Sequence, residues 1–171
     1  GKVLLTMFSQ NTNLLLAFLR DHNTARSVLD VFNDLYAMFG RETYCRLFPV
    51  ILTDRGSEFS NPVPIKQDEN DELRSLVFYC NPSAPYQKGG IEVAHELVRR
   101  VLPKGKSFDD LQQEDIDLML SHINSYKRGK LNSRSAYQLF NFIYGDDILP
   151  KLNIREIEAN DIVLSPKLLK K

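Results

Sequence analysis

The sequence predicts an α/β protein, with a mixed sheet flanked by helices and a helical C-terminal part. Three observations lead there. Short apolar runs and one helix-period segment alternate in the order β-β-α-β-(α)-β over the first 80 residues, a pattern that packs helices onto a sheet. Three further helix-period segments follow. The chain has 171 residues, 43% hydrophobic and 26% charged, enough for one ordinary domain with a real core.

Val3–Phe8 and Asn13–Leu19 are apolar runs separated by Asn11 and Thr12 and read as a hairpin. Asn23 or Thr24 offers an N-cap for a helix whose stripe is Val28, Val31, Phe32, Leu35 and Phe39, with Gly40 as its stop. Phe48–Thr53, FPVILT, reads as a buried strand, and Leu76–Cys80 as another. Asp68–Arg74 is an acidic short helix or loop, placed away from any anionic substrate. The prolines and glycines of 81–90 make a loop.

From Gly90 to Leu102 the stripe Ile91, Ala94, Leu97, Val98 and Val101 predicts an amphipathic helix ended by Pro103. Ser107 with Asp110 resembles a capping box before a helix bearing Ile116, Met119, Leu120, Ile123 and Tyr126. Ala136–Tyr144 is a last helix stopped by Gly145. The domain reading is 1–150 for the core and 151–171 for a C-terminal tail.

The formal net charge is zero, so any nucleic-acid surface must come from local basic patches. Cys45 and Cys80 lack metal-site spacing and read as reduced thiols. No apolar run is long enough to span a bilayer, no secretory signal opens the chain, and a cytoplasmic protein is expected. The opening Gly1, directly before an apolar run, reads as cut from something longer.

Two acids stand at informative places. Asp54 follows a strand, where α/β sheets display ligand-handling groups. Glu92 lies in the first turn of a helix, on a polar face with His95, Glu96 and Arg99. One carboxylate on a strand and one on a helix suit hard divalent cations and phosphoryl transfer. In a chain with 22 acidic residues spacing alone favours the plainer reading, in which Asp54 caps a turn and Glu92 complements a helix dipole.

The motifs alter that balance. LTDRGSEFSNP, Leu52 to Pro62, resembles the second catalytic block of retroviral-integrase-like transposases. FYCNPSAPYQKGGIEVAHELVRRVLPKG, Phe78 to Gly105, resembles the third, and HINSYKRGKLNSRSAYQLF, His122 to Phe140, resembles the ending of the insertion-sequence thirty group of bacterial transposases. The resemblance covers nearly the whole chain. It implies a ribonuclease-H-like fold and a DDE site with two Mg²⁺ or Mn²⁺ ions, acting on transposon ends and target DNA, with the protein a homo-oligomer on DNA in a bacterial cytoplasm.

Asp54 matches the second catalytic Asp and Glu92 the catalytic Glu, with 37 residues between them. Both are therefore catalytic and metal-ligand candidates. The family's first Asp lies on a strand preceding the segment at Gly1-Lys2-Val3, so the expected core is N-terminally truncated, its first strand missing, and inactive or weak by itself. Asp21 and Asp30 are poor substitutes. Val93 and His95 stand where the family usually has Asn. The alternative is a non-catalytic DNA-binding or interaction remnant of a transposase.

Lys88, His95, Arg99, Arg100 and Lys104 surround the Glu92 helix, and Lys127, Arg128 and Arg134 form a second cluster with no acid among them. These are the DNA-binding candidates, since phosphates need local cations whatever the net charge. A solvated helix face and a polar loop are the plainer readings. Tyr86 could stack on a base or anchor its loop, and His22 and His122 read as structural.

Overall fold

The computed structural model describes residues 1–80 and 90–170. The chain forms two compact units: one takes Gly1–Leu19 and the chain from Gly90 onward, the other the segment from Arg20.

In the first unit, β1 (Val3–Phe8) pairs with β2 (Leu15–Arg20). So short a connection can join only antiparallel neighbours, and the expected hairpin is present, with β2 starting two residues later than the apolar run. Leu15 and Ala17 are fully buried. Helices α3 (Ile91–Val101), α4 (Gln113–Ser125), α5 (Ala136–Tyr144) and α6 (Ile148–Lys151) follow. Their buried stripes are Ala94, Leu97, Val98 and Val101 on α3, and Ile116, Met119, Leu120 and Ile123 on α4, close to the sequence reading. Tyr126 is an exception: it lies just past α4 and is 40% exposed.

The polar residues of α4 do as much structural work as the apolar ones. Asn124, completely buried, accepts the Leu15 amide at 2.9 Å and donates to the Leu15 carbonyl at 2.8 Å. Gln113 accepts the Leu19 amide at 2.9 Å and donates to the Ala17 carbonyl at 3.1 Å. Backbone groups of alternate residues along one strand edge are thus met by side-chain amides, which closes an edge that would otherwise template further pairing.

The other face of α4 holds the C-terminal segment. Ser121, Ser125 and His122 Nδ1 accept the backbone amides of Arg155, Ile157 and Val163 at 3.1, 2.9 and 3.0 Å. Ile154 and Ile157 are buried alongside. The cap of α4 is Gln112 with Asp115 and not the expected Ser107–Asp110 box. Ser107 accepts the nearby Asp109 amide, and the helix begins six residues later.

The second unit opens with α1 (Ala25–Leu47), capped by Thr24, whose hydroxyl accepts the Ser27 amide. Gly40 was expected to end this helix. It does break the regular backbone, at φ 78° and ψ 165°, but the chain re-enters helix and continues to Leu47. The reason is the far side of the break: Tyr44 is fully buried, edge-on to Tyr36 at 5.0 Å. The buried Arg74 guanidinium lies over both rings, 4.9 and 5.4 Å from their centroids, and donates to Asn33 Oδ1 and to the Ile65 and Pro64 carbonyls.

Strands β3 (Val50–Thr53) and β4 (Leu76–Tyr79) are parallel, with Val50 beside Leu76 and Leu52 beside Phe78. The short helix α2 (Val63–Lys66) lies on the crossover. FPVILT is not the buried strand expected. Val50, Leu52, Leu76 and Phe78 share one exposed face, since β3 pairs with β4 alone among the described residues and only its other face is covered. The acidic segment after α2 is a turn closed by a Gln67–Leu73 bridge. Asp68 holds it by accepting the Asn70 and Glu72 amides and the Tyr36 hydroxyl. The Glu72 amide is the leading reason that its carboxyl lies below the usual range.

Cys45 and Cys80 are free thiols, Cys80 buried and Cys45 half-buried. No helix among the described residues is long and apolar enough to cross a membrane.

Candidate active site

Asp54 is the first residue past β3 and is exposed. Its Oδ1 accepts the Gly56 amide at 2.9 Å, an Asx-type turn that redirects the chain as the strand ends. A Cβ on Gly56 would stand 2.8 Å from Glu58 Oε2 and 3.0 Å from Asp54 Oδ1. Two carboxylates therefore converge on the small volume that glycine leaves open. Glu58 was not singled out from the sequence; the signal for it was its place in Asp54-Arg55-Gly56-Ser57-Glu58, a second acid held near the first by a turn. The Arg55 guanidinium lies 5.8 Å from the centre of the Tyr79 ring, and the Tyr79 hydroxyl donates to the Phe59 carbonyl. Both fasten the loop after Asp54 to β4.

Glu92 is the second residue of α3 and points to solvent. Its place is set by Gly90, which caps the helix at φ 89°, a left-handed conformation costly for other residues. A Cβ there would meet the Phe8 ring at 2.9 Å, so the end of β1 packs directly on the start of the helix. One turn further, His95 Nε2 and the Thr6 hydroxyl of β1 are 3.3 Å apart, a second tie between strand and helix. A carboxylate in this first turn also complements the helix dipole.

The basic candidates separate by what they touch. Lys88 and Tyr86 lie outside the described residues. Arg99 donates to the Leu102 carbonyl at the end of α3, and Arg100 pairs with Glu96 at 3.2 Å on the exposed helix surface. Lys104 is exposed in the turn after α3. Lys127 and Arg128 form the short strand β5 and Arg134 opens β6 (Arg134–Ser135), antiparallel to it. Arg100 and Lys127, remote in sequence, line one open groove of about 400 Å³ with Tyr126, Ala159, Ile162 and Leu164.

Asp54, Glu58 and Glu92 each offer carboxylate oxygens, the donor type that Mg²⁺ and Mn²⁺ prefer. Asp54 and Glu58 are in the second unit and Glu92 is in the first. Among the described residues no three His, Cys, Asp or Glu side chains cluster closely enough to hold an ion together.

No family model matches the chain. It is 28% identical, over 137 residues, to a putative integrase of Spiroplasma virus SpV1-R8A2 B, covering 80% of this chain and 40% of that protein. It is 35% identical over 63 residues to the transposase of insertion sequence element IS1086 of Cupriavidus metallidurans, covering 37% of this chain and 19% of the transposase. The InsI transposase of IS30A of Escherichia coli is 27% identical over 63 residues, 37% of this chain and 16% of that one. The chain thus spans well under half the length of these relatives. A chain of the simian T-cell lymphotropic virus intasome, solved in complex with the B56 gamma regulatory subunit of PP2A, has the same general fold. The TM-score is 0.56 at 17% identity, over 91% of this chain and 52% of that one. The chain is a homologue of insertion-sequence transposases, IS30 elements among them, and of a viral integrase, and has the mixed α/β fold of an integrase core.

Proposed function

We propose that the chain acts in DNA transposition or integration, with Asp54 and Glu92 as catalytic carboxylates. One observation carries the reading. Both acids of the two matching sequence blocks stand exposed at element ends, Asp54 just past β3 and Glu92 in the first turn of α3.

The chemistry is phosphoryl transfer. In the first step water attacks the phosphorus at a transposon end, the bond to the 3′ oxygen breaks, and a 3′-hydroxyl is freed. In the second that hydroxyl attacks a target phosphodiester, and another 3′ oxygen leaves. Asp54 and Glu92 would hold Mg²⁺ or Mn²⁺, two ions in a complete site, with Glu58 a further donor. Bound metal supplies charge neutralisation at the phosphate oxygens. DNA is the partner, met by His95, Arg99, Arg100, Lys104, Lys127, Arg128 and Arg134, with Lys88 assigned from sequence. Homo-oligomers on DNA and a bacterial cytoplasm complete the reading.

A second reading is DNA binding without strand cleavage, carried by the basic residues of α3 and the β5–β6 ribbon. Titration calorimetry with Mn²⁺ on the wild type, Asp54→Asn and Glu92→Gln separates the two. The catalytic reading expects wild-type binding that weakens at least tenfold in each variant. Binding indifferent to both substitutions would contradict it.

A further inference from the structure

The most exposed large apolar side chain among the described residues is Phe142, open to 82%; the next is Val50 at 54%. Phe142 does not stand at a frayed end. The start of α5 is fixed by the reciprocal cap of Ser135 and Gln138, at 3.1 and 3.2 Å. Its end is closed by the Gly145 amide on the Asn141 carbonyl at 2.8 Å. The inward face is packed: Ala136 and Phe140 are buried, and the Phe140 ring meets that of Tyr144 at 4.7 Å. Phe142 and the exposed Ile143 therefore project from a well-held helix.

One exposed apolar side chain is ordinary. Here two adjoin, and just past Gly145 come two exposed acids, Asp146 and Asp147. Neither carboxylate has an ion pair among the described residues, and Asp147 makes no side-chain capping bond although it precedes α6. The segment is thus an aromatic knob with a double negative charge beside it.

The same compact unit carries the complement. The open groove of about 400 Å³ has an apolar lining in Tyr126, Ile162 and Leu164, two cations in Arg100 and Lys127, and no acid. Lys127 has no ion pair among the described residues, and Arg100 has only its exposed pair with Glu96. Because Phe142 is open to solvent, it does not fill the groove of its own chain. Burial of the ring would dominate such a contact. The exposed charge pairs add little strength but select an acidic occupant over others.

We propose that the Phe142–Asp147 segment of one copy docks into the Arg100–Lys127 groove of another. The ring lies on Tyr126, Ile162 and Leu164, and the Asp146 and Asp147 carboxylates face Arg100 and Lys127. This contact needs no DNA, and so goes beyond the homo-oligomer on DNA proposed above. A docked copy takes two cations that would otherwise meet phosphates, so the groove serves one occupant at a time. A contact centred on one aromatic side chain buries far less than the roughly 1,200–2,000 Å² of a standing complex. Its dissociation constant should be about 0.1–1 mM.

The test is sedimentation equilibrium of the full 171-residue chain without DNA, from about 20 µM to about 1 mM. It compares the wild type, Phe142→Ser and the double variant Arg100→Glu/Lys127→Glu. All three substituted side chains are exposed, so thermal midpoints should match the wild type. The wild-type average mass should rise with concentration. Phe142→Ser, which keeps an intact groove, should associate at least tenfold more weakly, and the double variant, which keeps an intact knob, should do the same. An equimolar mixture of the two should recover association and stop at a one-to-one pair, since only one knob and one groove remain to meet.

A wild type that stays monomeric at about 1 mM would overturn the proposal, and so would a mixture that stays monomeric while the wild type associates. Association lost in the double variant but unchanged in Phe142→Ser would assign the groove to another acidic segment, such as Glu69–Leu73, and overturn the role of Phe142. Double-variant chains that associate like the wild type but bind a 20-base-pair duplex more weakly would leave the groove to DNA alone. No arm of the test uses Asp54 or Glu92, so failure of the catalytic reading leaves the result interpretable.

Discussion

The polar face of α4 and the β5–β6 ribbon adjoin in sequence and treat buried polar groups in opposite ways. On α4, Asn124, Ser121, Ser125 and His122 are buried, and each is matched to a backbone group of β2 or of the C-terminal segment. In the ribbon, Arg128 is half-buried with two donors unmet. The lesson is one of direction. A polar group whose partners lie inside the protein is architecture, and removing it should cost stability. A polar group buried without a partner is a standing cost, and removing it should cost no stability.

The largest effect expected on the architectural side is at Asn124. Asn124→Ala would strand the Leu15 amide and carbonyl in a dry interior and leave a cavity. A loss of about 2–4 kcal/mol is expected in urea unfolding. A loss below about 1 kcal/mol would mean that the amide pair is incidental. Ser125→Ala removes the acceptor of the Ile157 amide, and a loss of about 1 kcal/mol is expected by the same method.

His122 makes the comparison pH-dependent. Its Nδ1 accepts the Val163 amide, which a ring protonated at that nitrogen cannot do. Burial first, then Arg155, lowers its pKa in the folded state. The unfolded chain therefore takes up the proton more readily. The His122 contribution is fully present above the unfolded value of about 6.5 and is lost as pH falls through and below it. Urea midpoints should decline between about pH 7 and pH 5, and His122→Asn, which keeps an acceptor but cannot titrate there, should flatten that part of the curve. The smallest effect is at Arg100. Its pair with Glu96 is solvent-exposed, both side chains about half open or more, so Arg100→Ala should change stability by less than about 0.5 kcal/mol while weakening duplex binding.

Periodicity made the hairpin, α1, α3, α4 and α5 legible in the sequence, because apolar spacing reports directly on which face is buried. It did not show what polar residues do across long separations. Asn124 and Gln113 reach β2 from more than 90 positions away, and nothing in their neighbours' hydropathy marks them as strand-edge partners. Gly40 was legible as a break but not as an interruption, since the helix beyond it is secured by Tyr44 against Tyr36 and Arg74. The β3 strand was read as buried from composition alone, and composition is silent on how many of its faces are covered.

The candidate site shows the same division. Asp54 and Glu92 were found through their sequence blocks, and their exposure at element ends agrees with a ligand-handling role without testing it. Glu58 was missed because its relevance depends on the turn at Gly56 bringing it back toward Asp54. Lys127, Arg128 and Arg134 were read as one loop cluster of equivalent cations. The ribbon distinguishes them: Lys127 faces a groove with Arg100, whereas Arg128 and Arg134 oppose one another.

The most direct test of the central claim is to map where a divalent cation binds, by paramagnetic broadening of backbone amide signals during Mn²⁺ titration of the ¹⁵N-labelled chain. The account expects signals of Asp54–Glu58 and of Ile91–His95 to broaden first, the former effect to be lost in Asp54→Asn and the latter in Glu92→Gln. Broadening centred on other acids, such as the Asp68 turn, with these two segments untouched, would contradict it.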